Sequence, residues 1–77
     1  MHARFIGKDP ESPDVNSPTL FATDRTDRKT FIVQGWKVTD RDALRDVGAI
    51  PDHEDVVEVP YEILEMYVAE KAKGNQP

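Results

Sequence analysis

The chain has 77 residues, no cysteine and a formal net charge of −5 at pH 7. Its length suits one small domain, and the lack of cysteine excludes disulfides, thiolate metal ligands and a cysteine nucleophile. It has neither the apolar core of a signal peptide nor an apolar run of membrane-spanning length, so we expect a cytoplasmic protein. Residues 1–39 carry a net charge of +1 and residues 40–77 carry −6. This acidic half opposes phosphate binding and is compatible with a basic protein partner. The alternative is that the acidic charge serves solubility alone.

The first third of the chain predicts two strands separated by a loop. Residues 3–8 form a short first strand, and residues 9–18 contain three prolines, which prevent a regular helix or a central strand. Residues 19–23 predict the second strand, with Leu20 and Ala22 on one face and Phe21 on the other. A polar link over residues 24–29 then predicts an antiparallel hairpin with the segment that follows.

Residues 30–39 are the richest in β-branched and aromatic side chains and contain the only tryptophan, Trp36. The apolar residues lie on both faces at the start of this segment, which predicts a central strand. Gly35 lies inside the segment. A glycine there indicates a bulge or the close approach of another part of the chain.

Two helices are predicted in the second half. Thr39 or Asp40 caps a helix over residues 41–47, which ends at Gly48 and packs Leu44 and Val47 on the sheet. A loop over residues 49–55 leads to a strand over residues 56–59, which Pro60 ends.

The last helix is predicted over residues 61–73, with residues 74–77 as a tail. Its apolar stripe is predicted to be Ile63, Leu64, Tyr67 and Val68, with Met66 towards the edge of the stripe. Early glutamates and late lysines match the helix dipole.

These elements predict one α+β domain over residues 1–77, in the order β-β-β-α-β-α. A small antiparallel sheet of three to four strands is covered by the C-terminal helix. The alternative is a dimer, in which an exposed strand edge pairs with a second copy of the chain.

The one cluster with the composition of a chemical site surrounds His53, which lies between Asp52 and Glu54, with Asp55 and Glu58 following. A histidine among carboxylates suits a divalent metal or a general base. The spacing argues against both, because adjacent loop residues point in different directions and no second histidine is near. No serine has a neighbouring base. We therefore expect no enzymatic activity, no cofactor and no metal site.

The predicted function is a non-enzymatic, regulatory protein–protein contact, with a partner that is basic. The candidate interaction residues combine the aromatic and thioether side chains with the acidic loop: Trp36, Met66, Asp52, Glu54, Asp55 and Glu58. Two alternatives stay open. One is a small ligand-binding or enzymatic domain that uses the Trp36 face and His53, and the other is weak nucleic-acid binding through Arg25, Arg28 and Lys29.

Three segments carry a resemblance to a known group of proteins: Asn16-Ser-Pro-Thr-Leu-Phe21, Gln34-Gly-Trp-Lys-Val-Thr-Asp40 and Val56-Val-Glu-Val-Pro60. With them, most of residues 5–68 resembles small, acidic, uncharacterised actinobacterial proteins that accompany helix-turn-helix regulators. The resemblance implies a regulator of this kind as the partner of the chain. It implies no catalytic or ligand-binding residues.

Overall fold

A computed structural model of the chain describes residues 1–12 and 17–74. Along the chain, the helices and strands are β1 (Ala3–Lys8), β2 (Thr19–Thr23), β3 (Phe31–Gln34), β4 (Trp36–Lys37), α1 (Arg41–Val47), β5 (Val57–Glu58) and α2 (Tyr61–Gly74). The predicted α+β class is confirmed. Residues 13–16, in the middle of the predicted proline-rich loop, and residues 75–77 of the predicted tail lie outside this description.

The first three strands form an antiparallel sheet in the order β1-β2-β3. Successive residues of a strand point to opposite faces, and directly opposed residues share a face. One row across the sheet is Arg4, Ala22 and Phe31, and the next row is Phe5, Phe21 and Ile32. These two rows therefore lie on opposite faces of the sheet.

Helix α2 covers the face that carries the row of Arg4, Ala22 and Phe31. Arg4 forms an ion pair with Glu70, and the ring of Phe31 packs edge-to-face on Tyr67 with the ring centroids 5.3 Å apart. A bulge between Phe5 and Gly7 shifts the β1 register. This shift brings Gly7 onto the same face, against Met66 of the helix.

The buried hydrophobic side chains of the described residues are Leu20 of β2 and Ile63 of α2. Leu20 lies on the helix side of the sheet, on the same face as Ala22, and this shared face agrees with the predicted alternation of β2. At about 25 cal/mol per Å² of buried apolar area, two fully buried aliphatic side chains supply only a few kcal/mol. Half-buried residues around them therefore contribute much of the remaining stability.

The predicted apolar stripe of the last helix is wrong in part. Ile63 faces the sheet as expected, but Leu64 is 59% exposed and Val68 is 67% exposed. Met66 and Glu70 take the inward positions instead, because i, i+3 and i+7 from Ile63 fall on one face of the helix. Helix α2 thus has apolar side chains on two opposite faces.

The prediction of one central strand over residues 30–39 is also wrong. The segment divides at Gly35: β3 is an edge strand of the three-stranded sheet, whereas β4 pairs with β5 in a separate two-stranded sheet. The central strand is β2. The predicted strand over residues 56–59 is reduced to Val57–Glu58, and Pro60 precedes α2 as expected.

Helix α1 has the predicted bounds and the predicted caps. The Asp40 carboxylate accepts a hydrogen bond from the Ala43 amide at 3.0 Å, and Gly48 has a φ of 88°. No residue of α1 is buried, and Val47 is 54% exposed, so the predicted packing of Val47 on the sheet is wrong. Its caps therefore matter more to this helix than its packing does.

Two further contacts close the loops of the sheet. The Asp9 amide donates to the Pro18 carbonyl at 2.8 Å, which joins the two ends of the proline-rich loop. The Thr23 and Thr30 hydroxyls lie 2.8 Å apart at the base of the predicted β2–β3 hairpin. Among residues 1–12 and 17–74, no helix has the length and apolar character needed to cross a membrane.

Candidate interaction surface

Trp36 and Glu58 are neighbours on the two-stranded sheet. They are directly opposed in the antiparallel pair of β4 and β5, so their side chains share a face. Trp36 is 49% exposed, and Glu58 is exposed as well. The structure therefore brings together two of the residues that the sequence predicts for partner binding.

Gly35 allows this arrangement. A Cβ atom at position 35 would lie 2.8 Å from the Glu58 carbonyl oxygen and 3.1 Å from the Cβ of Val57. The chain before Trp36 therefore runs directly against β5, and any larger residue would separate the two segments. The close approach that the sequence indicates at Gly35 is confirmed.

The other predicted acidic residues lie in the loop that precedes β5. Asp52, Glu54 and Asp55 are all exposed. The Asp55 carboxylate accepts a hydrogen bond from the Val56 amide at 2.8 Å, and the Glu54 amide donates to the Pro51 carbonyl at 2.9 Å. This bonding leaves the loop carboxylates facing solvent, within a few residues of Glu58.

His53 lies in the same loop, with Nε2 3.5 Å from Glu54 Oε2. Both side chains are largely exposed to water, which weakens their interaction. In the described parts of the chain, no three His, Cys, Asp or Glu side chains come close enough together to hold a metal ion.

Met66 belongs to a different part of the molecule. It is half-buried and packs between α2 and β1, where its Sδ atom would lie 2.8 Å from a Cβ atom at Gly7. Its thioether fills the space left by the missing glycine side chain. The structure therefore places Met66 in the helix–sheet packing and not on the exposed surface of Trp36 and Glu58.

The basic residues of the β2–β3 loop do not form a compact phosphate site. Arg25 lies 3.9 Å from Asp27, which offsets part of its charge. Arg28 is exposed, and Lys29 lines a separate cleft. These three residues are close together in the sequence, but their side chains have different surroundings in the structure.

That cleft, of about 670 Å³, lies between the sheet and the C-terminal half of α2. The aromatic pair of Phe31 and Tyr67 forms one part of its lining, and Arg4, Lys29 and Lys71 supply positive charge. The hydrogen bond from Arg4 lowers the pKa of the Glu70 carboxyl. Burial opposes this shift, and the charges of Arg4, Lys73 and Lys29 add to it. Neither Trp36 nor His53 lines this cleft.

Two apolar groups lie outside the surface formed by Trp36 and Glu58. One is the sheet row of Phe5, Phe21 and Ile32 on the face away from α2. The other is the outer stripe of α2, formed by Tyr61, Leu64 and Val68. The i, i+3, i+7 spacing of the second group was readable in the sequence, but the spacing does not show which of two apolar stripes meets the sheet.

Comparisons of the chain with protein-family models, with curated proteins and with solved structures find no match to any of the three.

Proposed function

We propose that this chain is a non-enzymatic protein-interaction module that binds a basic segment of a regulatory partner. The observation that carries this proposal is the half-exposed Trp36 ring beside the exposed Glu58 carboxylate. The resemblance of the sequence to proteins that accompany helix-turn-helix regulators suggests a cytoplasmic transcription regulator as that partner.

The chemistry of this pair suits an arginine side chain. A guanidinium group over an indole face gains about 0.5–2 kcal/mol from the cation–π interaction, and a carboxylate alongside accepts its N–H groups. Tryptophan also supplies a large contact area at low cost in side-chain entropy, which makes it a frequent anchor of protein interfaces. Trp36 and Glu58 thus supply both halves of an arginine-binding surface.

The acidic residues around this pair supply attraction at longer range. Asp52, Glu54 and Asp55 precede β5 closely, and residues 40–77 carry a net charge of −6. Such a field raises the rate of encounter with a basic partner and weakens with added salt.

The two alternatives have less support from the geometry. A ligand-binding site built on Trp36 and His53 requires a concave surface, and His53 is exposed in a turn instead. A phosphate-binding site on Arg25, Arg28 and Lys29 has few positive charges, one of which lies beside Asp27.

Because Trp36 is the only tryptophan, its fluorescence reports on this surface directly. We expect an arginine-rich peptide to change this fluorescence saturably and with an affinity that falls as salt is added. A peptide with citrulline in place of arginine is the uncharged control. Glu58→Gln should weaken binding about tenfold, the equivalent of about 1.4 kcal/mol.

Val57→Ala is the matched control, because Val57 lies on the opposite face of the same strand and is also exposed. It should leave the affinity unchanged. To identify the partner, wild-type protein and a Trp36→Ala/Glu58→Gln double variant are used as separate baits in affinity pull-downs from the native cytoplasmic extract. Proteins that only wild type captures are identified by mass spectrometry. No saturable binding of the arginine peptide, or equal binding by wild type and Glu58→Gln, would overturn the proposal.

A further inference from the structure

We propose that two copies of this chain associate through the sheet face opposite α2. This face carries the row of Phe5, Phe21 and Ile32, which crosses all three strands. The proposal concerns a different surface from the arginine-binding surface and does not depend on it.

The row is apolar and continuous, with its two outer residues exposed and Phe21 half-buried between them. The rings of Phe5 and Phe21 pack edge-to-face with their centroids 6.3 Å apart, and Ile32 is directly opposed to Phe21 on the next strand. Phe5 is 59% exposed and Ile32 is 38% exposed, although both are paired within the sheet. Helix α2 covers only the other face, and among the residues that the structure describes no helix or strand lies over Phe5 or Ile32.

The total exposed area of the chain is larger than that of a compact protein of its mass. The chain exposes 6544 Å², whereas a compact protein of 8.7 kDa exposes about 4700 Å². Counting the seven residues outside the described ranges at the area of an unfolded chain still leaves an excess of about 1000 Å². A standard protein interface buries about 800 Å² on each partner. The excess, summed over the whole chain, is therefore sufficient for one interface, and the Phe5, Phe21 and Ile32 row is one of the apolar groups that contribute to it.

Charge favours a second copy as the occupant of this face. Two copies with a net charge of −5 repel each other, and a contact between them is most favourable where carboxylates are absent. The rows on either side of the apolar row contain no Asp or Glu: they are Ala3, Thr23 and Thr30 at one end and Lys8, Thr19 and Gln34 at the other. The outer stripe of α2, by contrast, has Glu65 within one helical turn of both Tyr61 and Val68.

The geometry is also self-complementary. Two antiparallel sheets pack face to face at a distance of about 10 Å when both inner faces are apolar. A two-fold axis between the two sheets, parallel to the strands and passing over Phe21, would place Phe5 of one copy near Ile32 of the other, because these residues flank Phe21 on opposite sides.

Sedimentation equilibrium of the full chain, from low to high micromolar concentration, tests this proposal. We expect the mass to rise from 8.7 kDa towards twice that value, and to rise at lower concentration when salt screens the repulsion between copies. Binding of a basic partner by Trp36 and Glu58 has the opposite dependence on salt. Failure of one proposal is therefore distinguishable from failure of the other.

The variant Phe5→Thr/Ile32→Thr keeps strand-forming residues and removes the apolar side chains. It should raise the dissociation constant of the dimer at least about tenfold. Leu64→Gln is the matched control, since Leu64 has the same exposed fraction as Phe5 but lies on the outer stripe of α2. Circular dichroism verifies that both variants are folded, and an NMR spectrum of wild type across the same concentrations locates the contact independently.

A strict monomer at high micromolar concentration would overturn the proposal. So would a dimer that is lost with Leu64→Gln and kept with Phe5→Thr/Ile32→Thr, because that result would place the contact on α2. Concentration-dependent NMR shifts confined to α2 or to the two-stranded sheet would have the same meaning.

Discussion

Gly35 and Val59 lie so close together that a Cβ atom at position 35 would be 2.7 Å from Val59 Cγ1. The same atom would lie 2.8 Å from the carbonyl oxygen of Glu58. Both distances are shorter than a van der Waals contact, and one neighbour is backbone. This contact holds β4 against β5, and it fixes the position of Trp36.

Gly35→Ala should therefore lower the free energy of unfolding by about 1–3 kcal/mol, the usual cost of inserting a methyl group into a packed contact. Gly7→Ala is the control. Its new methyl group would meet Met66 Sδ at 2.8 Å, but that atom belongs to a flexible side chain that can move. Urea denaturation of both variants measures the difference. Equal costs would contradict the close backbone approach at Gly35.

Truncation of Ile63 should cost much more stability than truncation of Trp36. Ile63 is fully buried, so Ile63→Ala should cost about 2–5 kcal/mol and leave much of this small protein unfolded. Trp36 is half-exposed, so Trp36→Ala should cost about 1 kcal/mol, well below the 3–5 kcal/mol of a buried tryptophan. Thermal and urea denaturation followed by circular dichroism compare the two variants. Unfolding of the Trp36 variant would show that the ring is part of the core.

Asp40→Ala should unfold α1 locally. The Ala43 amide loses its acceptor, and N-cap removal costs about 1 kcal/mol. Because no residue of α1 is buried, the rest of the fold should change little. Hydrogen exchange of the amides of residues 43–47 should become faster, whereas Asp40→Asn, which keeps the acceptor, should match wild type. Equal loss of protection in α1 and in the sheet would contradict this view of α1.

The stability that Glu70 contributes to the fold should be lost in acid. The hydrogen bond from Arg4 holds the pKa of its carboxyl below the ordinary value of 4.5. The contribution of a carboxyl with a lowered pKa is fully present above the pKa of the unfolded state and is lost as the pH falls through the folded pKa. Wild type should therefore be more stable than Glu70→Gln at pH 7, and the difference should shrink below about pH 4.5.

Urea denaturation of the two proteins at several pH values measures this difference. Arg4→Gln removes the charged donor of the hydrogen bond. The difference in stability between wild type and this variant should also become smaller as the pH falls. Arg4 is largely exposed, so the effect should be small and should weaken with salt. A difference that grows in acid would contradict the sign of the pKa shift.

Local chemistry was sufficient to predict several elements from the sequence. The bounds of β1, β2 and α1 agree with the predicted ones, because prolines, a capping aspartate and Gly48 act within a few residues of their own positions. The antiparallel hairpin of β2 and β3 is likewise confirmed. The predicted alternation of β2 is also confirmed, because Leu20 and Ala22 lie on one face of the sheet and Phe21 lies on the other.

Tertiary structure alone decided which apolar side chains are covered. Residues 30–39 have the composition of one strand, but contacts of Gly35 with residues far along the chain divide them between two sheets. Helix α2 has two apolar stripes, and the one that meets the sheet is chosen by the contacts of Tyr67, Met66 and Glu70 with β1 and β3. Periodicity records that a residue is apolar, whereas burial depends on partners brought near by the whole fold, and this is why Trp36, Phe5 and Leu64 are exposed.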